Sequence, residues 1–214
     1  MNFLDILNRK LPGNWQKYLN FYIFLNFAAY AVWHLKKAHS SGVLHITDVT
    51  FALQSLLLCS VILVRRDHKA VEPSLWRQTV ALAAFFSGLL MLGSAPASSP
   101  LVLQASLYIT LTANCLGLLT ILNLGRSFGI LIAVREIKTD WLYSLVRHPM
   151  YATDILLRVG YLVGHPTPFA AAVVLFTVLA YYWRARYEEE FLSRDPVYRE
   201  YMAKVPFRFI PYVL

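Results

Sequence analysis

QTVALAAFFSGLLMLGSAPASSPLVLQASLYITLTANCLGLLTILNLG, residues 78–125, holds no formally charged side chain. A bilayer core takes roughly 20 mostly apolar helical residues, so this stretch is too long for one pass. Gly93-Ser94-Ala95-Pro96-Ala97-Ser98-Ser99-Pro100 interrupts it with a turn signal. The stretch therefore reads as two membrane helices, one on each side of the break.

Working outward, residues 18–35 carry no formal charge and give a first span, and residues 49–64 give a second between Asp48 and Arg65-Arg66. Residues 126–149 are polar, charged and not periodic enough for a span. Residues 150–164 are apolar but include Asp154 and Arg158. His165-Pro166-Thr167-Pro168 makes a tight turn, and residues 169–183 are apolar again, with helix continuing to about Ser193. The tail, Val205-Pro206-Phe207-Arg208-Phe209-Ile210-Pro211, is irregular, with extended bias from its prolines. Residues 1–17 read as a short interfacial helix with Phe3, Leu4, Ile6 and Leu7 toward lipid.

The expected fold is an all-α integral membrane protein of about six transmembrane helices. The last two form a helical hairpin, flanked by a polar loop and a C-terminal tail. Residues 1–124 are the N-terminal spans and 125–214 the functional core.

Composition agrees. Of 214 residues, 57% are hydrophobic and 15% charged, against about 25% charged in soluble domains. The net charge of +8 comes from basic residues flanking apolar spans, which is a signature of membrane orientation and argues against nucleic acid as a partner. Arg9, Lys10, Lys17, Arg65, Arg66, Lys69, Arg77, the 126–149 loop and the tail fall on one side. The positive-inside rule makes that side cytoplasmic, with both termini there, in a multi-pass protein of a bacterial inner membrane or the endoplasmic reticulum. Cys59 and Cys115 lie in apolar runs and read as packing residues, with no metal spacing. There is no dinucleotide fingerprint, P-loop or nucleophile elbow.

This topology brings two polar clusters to one membrane face. Arg147-His148-Pro149-Met150-Tyr151 opens the fifth span. Arg184, Arg186, Glu188, Glu189 and Glu190 close the sixth. Pro149 suits the first turn of a helix, whose free N–H groups and positive dipole end favour an anion. Arg184 and Glu188 are four apart and share a helix face, with Glu189 about 100° round. Glutamates there can simply be a solvated helix end, but carboxylates at a bilayer boundary are costly unless paired or functional. Asp154 and Arg158, also four apart, read either as a structural lock or as the polar wall of a cavity. Gly160 and Gly164 have the spacing of a close helix contact.

Leu124-Gly125-Arg126-Ser127-Phe128, Val146 to Tyr151, Glu188-Glu189-x-x-Leu192, Tyr198-x-x-Tyr201 and Val205 to Pro211 occur in this order. Together they resemble the isoprenylcysteine carboxyl methyltransferase and phospholipid methyltransferase superfamily, over about the C-terminal 40% of the chain. The resemblance implies an S-adenosylmethionine-dependent membrane methyltransferase with a lipophilic small-molecule or lipid-anchored acceptor. It implies a cofactor site from Arg135, Glu136, Ile137, Lys138 and Tyr143, then His148, Pro149, Met150 and Tyr151, then Glu188. It places Arg184 toward the substrate. Arg135 stands where carboxyl methyltransferases often have His, and Asp140-Trp141-Leu142 replaces a glycine-containing turn.

The residue chemistry is compatible with that. Glu188 or Glu189 suits the cofactor's ammonium, Arg147 or His148 its carboxylate, and tyrosine faces its sulfonium. A carboxylate acceptor would use Arg184 for orientation. A lipid amine would need a base, for which Glu189 and Asp154 are the candidates; the catalytic expectation is Arg184 and Glu189. The rival resemblance is to NADPH-dependent membrane sterol or steroid reductases, through Arg-x-Pro-x-Tyr, Trp141, Asp154 and Val205-Pro206-Phe207-Arg208. A non-enzymatic membrane bundle is the third reading.

Overall fold

The computed structural model describes residues 15–41, 46–66, 68–91, 97 and 99–213. Residues 1–14 of the expected interfacial helix, and most of the 93–100 break, lie outside them. Among the described residues the chain is mostly helical: α1 (Trp15–Ser41), α2 (Ile46–Val64), α3 (Leu75–Phe86), α4 (Pro100–Leu124), α5 (Pro149–Gly164), α6 (Pro168–Leu192) and α7 (Pro196–Lys204). A 3-10 turn, Ser87–Met91, continues α3.

Local chemistry sets these boundaries. Pro100, Pro149, Pro168 and Pro196 each occupy the first turn of a helix, where a missing N–H costs nothing. The side chains of Ser74, Thr167 and Asp195 accept hydrogen bonds from the backbone N–H groups of Arg77, Ala170 and Val197, satisfying donors that the helices cannot.

Among the described residues two helices are long and apolar enough to cross a bilayer, Pro100–Ser127 and Pro168–Leu192; the apolar segments Val49–Val64 and Leu75–Met91 are shorter. α5 has 16 residues, about 24 Å at 1.5 Å per residue, short of the roughly 30 Å hydrocarbon core.

α5 packs against both α4 and α6, most extensively against α4. Gly160 and Gly164 make that crossing. A Cβ at Gly160 would lie 3.0 Å from the backbone N of Thr110, and Ser106 Oγ donates to Gly160 O at 2.7 Å. Small residues allow backbones this close. Gly160→Ala must therefore push α4 and α5 apart. We expect a loss of about 1–3 kcal/mol, read as a lowered melting temperature in detergent.

The loop at 126–149 is more ordered than its sequence pattern implied. Its β2 (Ala133–Val134) pairs antiparallel with β1 (Ala70–Val71), Ala70 opposite Val134. Gln78, buried at the start of α3, donates to Glu72 O and Ile132 O and accepts from Ile132 N. A two-residue ribbon has no periodicity to detect. Trp141, in the turn lacking the expected glycine, adopts φ 51°, a left-handed backbone that glycine adopts without strain. These contacts, and those of Arg184 below, tie residues 1–124 to residues 125–214.

Candidate functional site

The two polar clusters do converge. His148 Nε2 lies 3.0 Å from Glu189 Oε1, across the α5–α6 hairpin. Beside them a pocket opens among the 124–138 loop, the start of α5, the end of α6 and α7.

Its walls account for most of the expected cofactor residues. Arg135, Glu136, Ile137 and Lys138 line it from the loop, and Tyr143 from the following 3-10 turn. Arg147, His148, Met150 and Tyr151 line it from the start of α5, and Glu188 from α6. Pro149 is buried at the helix start and is not part of the wall. Ser127, Gly129, Tyr198 and Tyr201 line it as well. Ser127, Tyr198 and Tyr201 stood within recognised motifs, but nothing in the sequence gave them a role.

Consecutive glutamates on α6 meet three environments, because each residue turns about 100° round the helix. Glu188 faces the pocket and accepts from Tyr151 Oη. Glu189, 4% exposed, accepts from Arg147 Nε at 2.7 Å, and from Arg208 Nε at 2.9 Å on its other oxygen. Glu190 is solvated and pairs with Arg77. Arg147 also donates through Nη1 to Val205 O. The backbone N–H groups of Arg147 and His148 donate to Phe207 O and Arg208 O. Glu189 is thus the centre of a latch between the tail and the entry to α5.

Neither expected catalytic residue, Glu189 or Arg184, lines the pocket. Glu189 was a candidate catalytic base, but a carboxylate held by two guanidiniums and an imidazole has little basicity to offer. Arg184 was expected to face substrate, yet it is 1% exposed and absent from the pocket wall. Its Nε donates to Tyr151 Oη at 2.9 Å, Nη1 to Ala81 O at 2.8 Å and Nη2 to Ile130 O at 2.7 Å. It lies 4.9 Å from the Tyr151 ring centre. A guanidinium inside an apolar bundle must find partners for its donors, and the neighbouring carbonyls supply them. Arg184 reaches the pocket only through Tyr151, whose hydroxyl joins it to Glu188.

The pocket also keeps unused polarity. Ser127 Oγ and Arg135 Nε are buried without a hydrogen-bond partner. Arg135 lies against Gly129, where any Cβ would overlap its guanidinium. Burial lowers the Arg135 pKa from its ordinary value, against the pull of Glu188. Burial pushes the Tyr143 and Tyr198 hydroxyls well above the usual phenol range, with the Glu188 charge adding to it. These tyrosines therefore act as neutral hydrogen-bonding groups and aromatic faces. His148 stacks on Tyr151 with ring centres 5.0 Å apart.

This set suits a ligand carrying both charges and an apolar cation. Glu188 offers an anion, Arg135 Nε and Ser127 Oγ are donors without a partner, and Tyr198 offers a π-face. Among the described residues no cluster could hold a metal ion.

Comparison with protein families matches residues 97–199 to phospholipid methyltransferases. That stretch runs from the approach to α4 into α7 and contains most of the pocket wall. Comparison with curated proteins finds no match.

Proposed function

We propose, from the match of residues 97–199 to phospholipid methyltransferases, that the protein is a multi-pass membrane enzyme transferring a methyl group from S-adenosylmethionine to a lipophilic acceptor. The observation that carries this is one pocket lined by Glu188, Ser127, Arg135 and several tyrosines, with Ser127 Oγ and Arg135 Nε left without a partner in its wall. The 125–214 core would lie at the cytoplasmic membrane surface, with about six spans and both termini cytoplasmic.

Bound in this pocket, S-adenosylmethionine supplies an electrophilic methyl group. Glu188, fixed by Tyr151, takes an ammonium by a charge-assisted hydrogen bond. Arg135 and Ser127 take a carboxylate. Arg147 and His148 were expected in that role, but both are engaged with Glu189. Tyr198, in the pocket wall, would offer an aromatic face to the sulfonium. Methyl transfer is an in-line displacement governed by alignment. The Arg184–Tyr151–Glu188 chain holds that alignment from the core outward.

Thermal shift in detergent tests the reading. S-adenosylhomocysteine at 100 times its dissociation constant should stabilise the protein by about 2.7 kcal/mol, and NADPH should not. Labelled methyl should then appear in a lipid extract. Stabilisation by NADPH alone would favour the reductase reading instead.

A further inference from the structure

α5 holds two charged side chains that line no part of the pocket. Asp154 and Arg158 form an ion pair across one helical turn. Arg158 Nη1 also donates to Asp154 O at 2.9 Å, and Tyr181 of α6 donates its hydroxyl to the Asp154 carboxylate. Arg158 lies 5.9 Å from the Tyr181 ring centre and against Gly88, where a Cβ would stand 2.9 Å from Nη2. An ion pair in an apolar bundle costs more than a well-packed hydrocarbon would.

The pair is asymmetric. The Arg158 side chain is 6% exposed and the Asp154 side chain 28%. Arg158 Nε is buried with no partner. A lock optimised for stability would close that donor and bury both charges. Here the cation is internal and the carboxylate keeps an open side.

Its position relates it to the pocket. Asp154 is three residues beyond Tyr151, about 4.5 Å along the helix, and on the same face. The Tyr151 and Tyr181 rings stack at 4.9 Å. Tyr151 faces the pocket, while Tyr181 holds Asp154 on the side leading into the bundle. The charged group in contact with Asp154 is Arg158 on its own helix; Arg184 and Glu188 meet Tyr151 instead. The Ser87–Met91 turn and α4, which also pack on α5, bring no charged side chain.

Resting on the methyltransferase reading of this site, we propose that Asp154 is a catalytic base that deprotonates an amine-bearing lipid acceptor entering from the apolar side of the Tyr151–Tyr181 stack. An ammonium beside Asp154 passes one N–H proton to the carboxylate through its exposed side. The freed nitrogen lone pair forms the new N–C bond to the methyl carbon. The S–C bond breaks with its electron pair going to sulfur, leaving a neutral thioether and an N-methylammonium. The proton on Asp154 then leaves to water, so charge and atoms balance. Arg158 and Tyr181 are positioning residues that aim the carboxylate.

The test uses the full-length protein in vesicles of phosphatidylethanolamine and phosphatidylcholine, following labelled-methyl incorporation across pH 6 to 10, with S-adenosylhomocysteine affinity measured separately by calorimetry. Asp154→Asn should lower transfer by about 100-fold or more near neutral pH. The loss should shrink as pH rises and the amine loses its proton without help, while S-adenosylhomocysteine affinity stays at the wild-type value. If the single variant folds poorly because Arg158 is left unpaired, Asp154→Asn with Arg158→Met removes both charges and should show the same pH-dependent deficit. A deficit equal at every pH, a parallel loss of S-adenosylhomocysteine affinity, or no labelled methyl in phosphatidylethanolamine with a wild-type protein that binds S-adenosylhomocysteine would overturn the role of Asp154 and leave the methyltransferase reading intact. A wild-type protein that does not bind S-adenosylhomocysteine overturns that reading, and this inference with it.

Discussion

Glu189→Ala should be the most destabilising single change in the candidate site, lowering stability by about 3–5 kcal/mol. The side chain is almost wholly buried and both its oxygens are bonded, to Arg147 and His148 on one side and Arg208 on the other. Removing it leaves a buried guanidinium on Arg147 with no counter-charge, and that residual penalty is the larger part of the effect. The tail should also detach from α5, because the pairing of Phe207 and Arg208 with residues 147 and 148 depends on the same latch. The measurement is thermal unfolding in detergent together with limited trypsin digestion, where cleavage after Arg208 should accelerate. Glu190→Ala is the matched comparison. Glu190 is solvated, and its pair with Arg77 should be worth no more than about 1 kcal/mol. Similar melting temperatures for the two variants would refute the latch.

Glu188→Gln should separate binding from folding. The residue lies in the same helix turn but faces the pocket. Glutamine can still accept from Tyr151, so the wall keeps its shape and loses its charge. Replacing an ionic hydrogen bond with a neutral one should cost about 1.5–3 kcal/mol of ligand affinity, roughly 10- to 150-fold. Calorimetry with S-adenosylhomocysteine should show that loss while the melting temperature of the free protein changes little. Unchanged affinity would remove Glu188 from the cofactor site, and a large fall in melting temperature would assign it a structural role.

Much of the candidate site was legible because its residues cluster in sequence. Arg147 to Tyr151 and Glu188 announce themselves as polar groups at the ends of apolar runs, and charge asymmetry alone predicts that they meet. Division of labour among them was not legible. Adjacent glutamates look equivalent in a sequence, and only the helix rotation relative to α5 and the tail separates the pocket-facing Glu188 from the buried Glu189. The surroundings of Arg184 were not legible for a related reason. Its partners are the backbone carbonyls of Ala81 and Ile130, and carbonyls exist at every residue, so no side-chain pattern points to them.

By itself the sequence determined the apolar helices, their proline-marked starts, the turn between α5 and α6, and the end of the bundle where chemistry gathers. Those features follow from local composition and from the cost of placing charge in hydrocarbon. Only the tertiary structure decided which of the gathered charges face the pocket and which neutralise each other. It also placed Asp154 beneath Tyr151 with an open side, set the Gly160 crossing against α4, and joined the 133–134 loop to the segment before α3. Those outcomes depend on how helices rotate and pack against residues distant in the chain, which the order of residues along any one helix does not record.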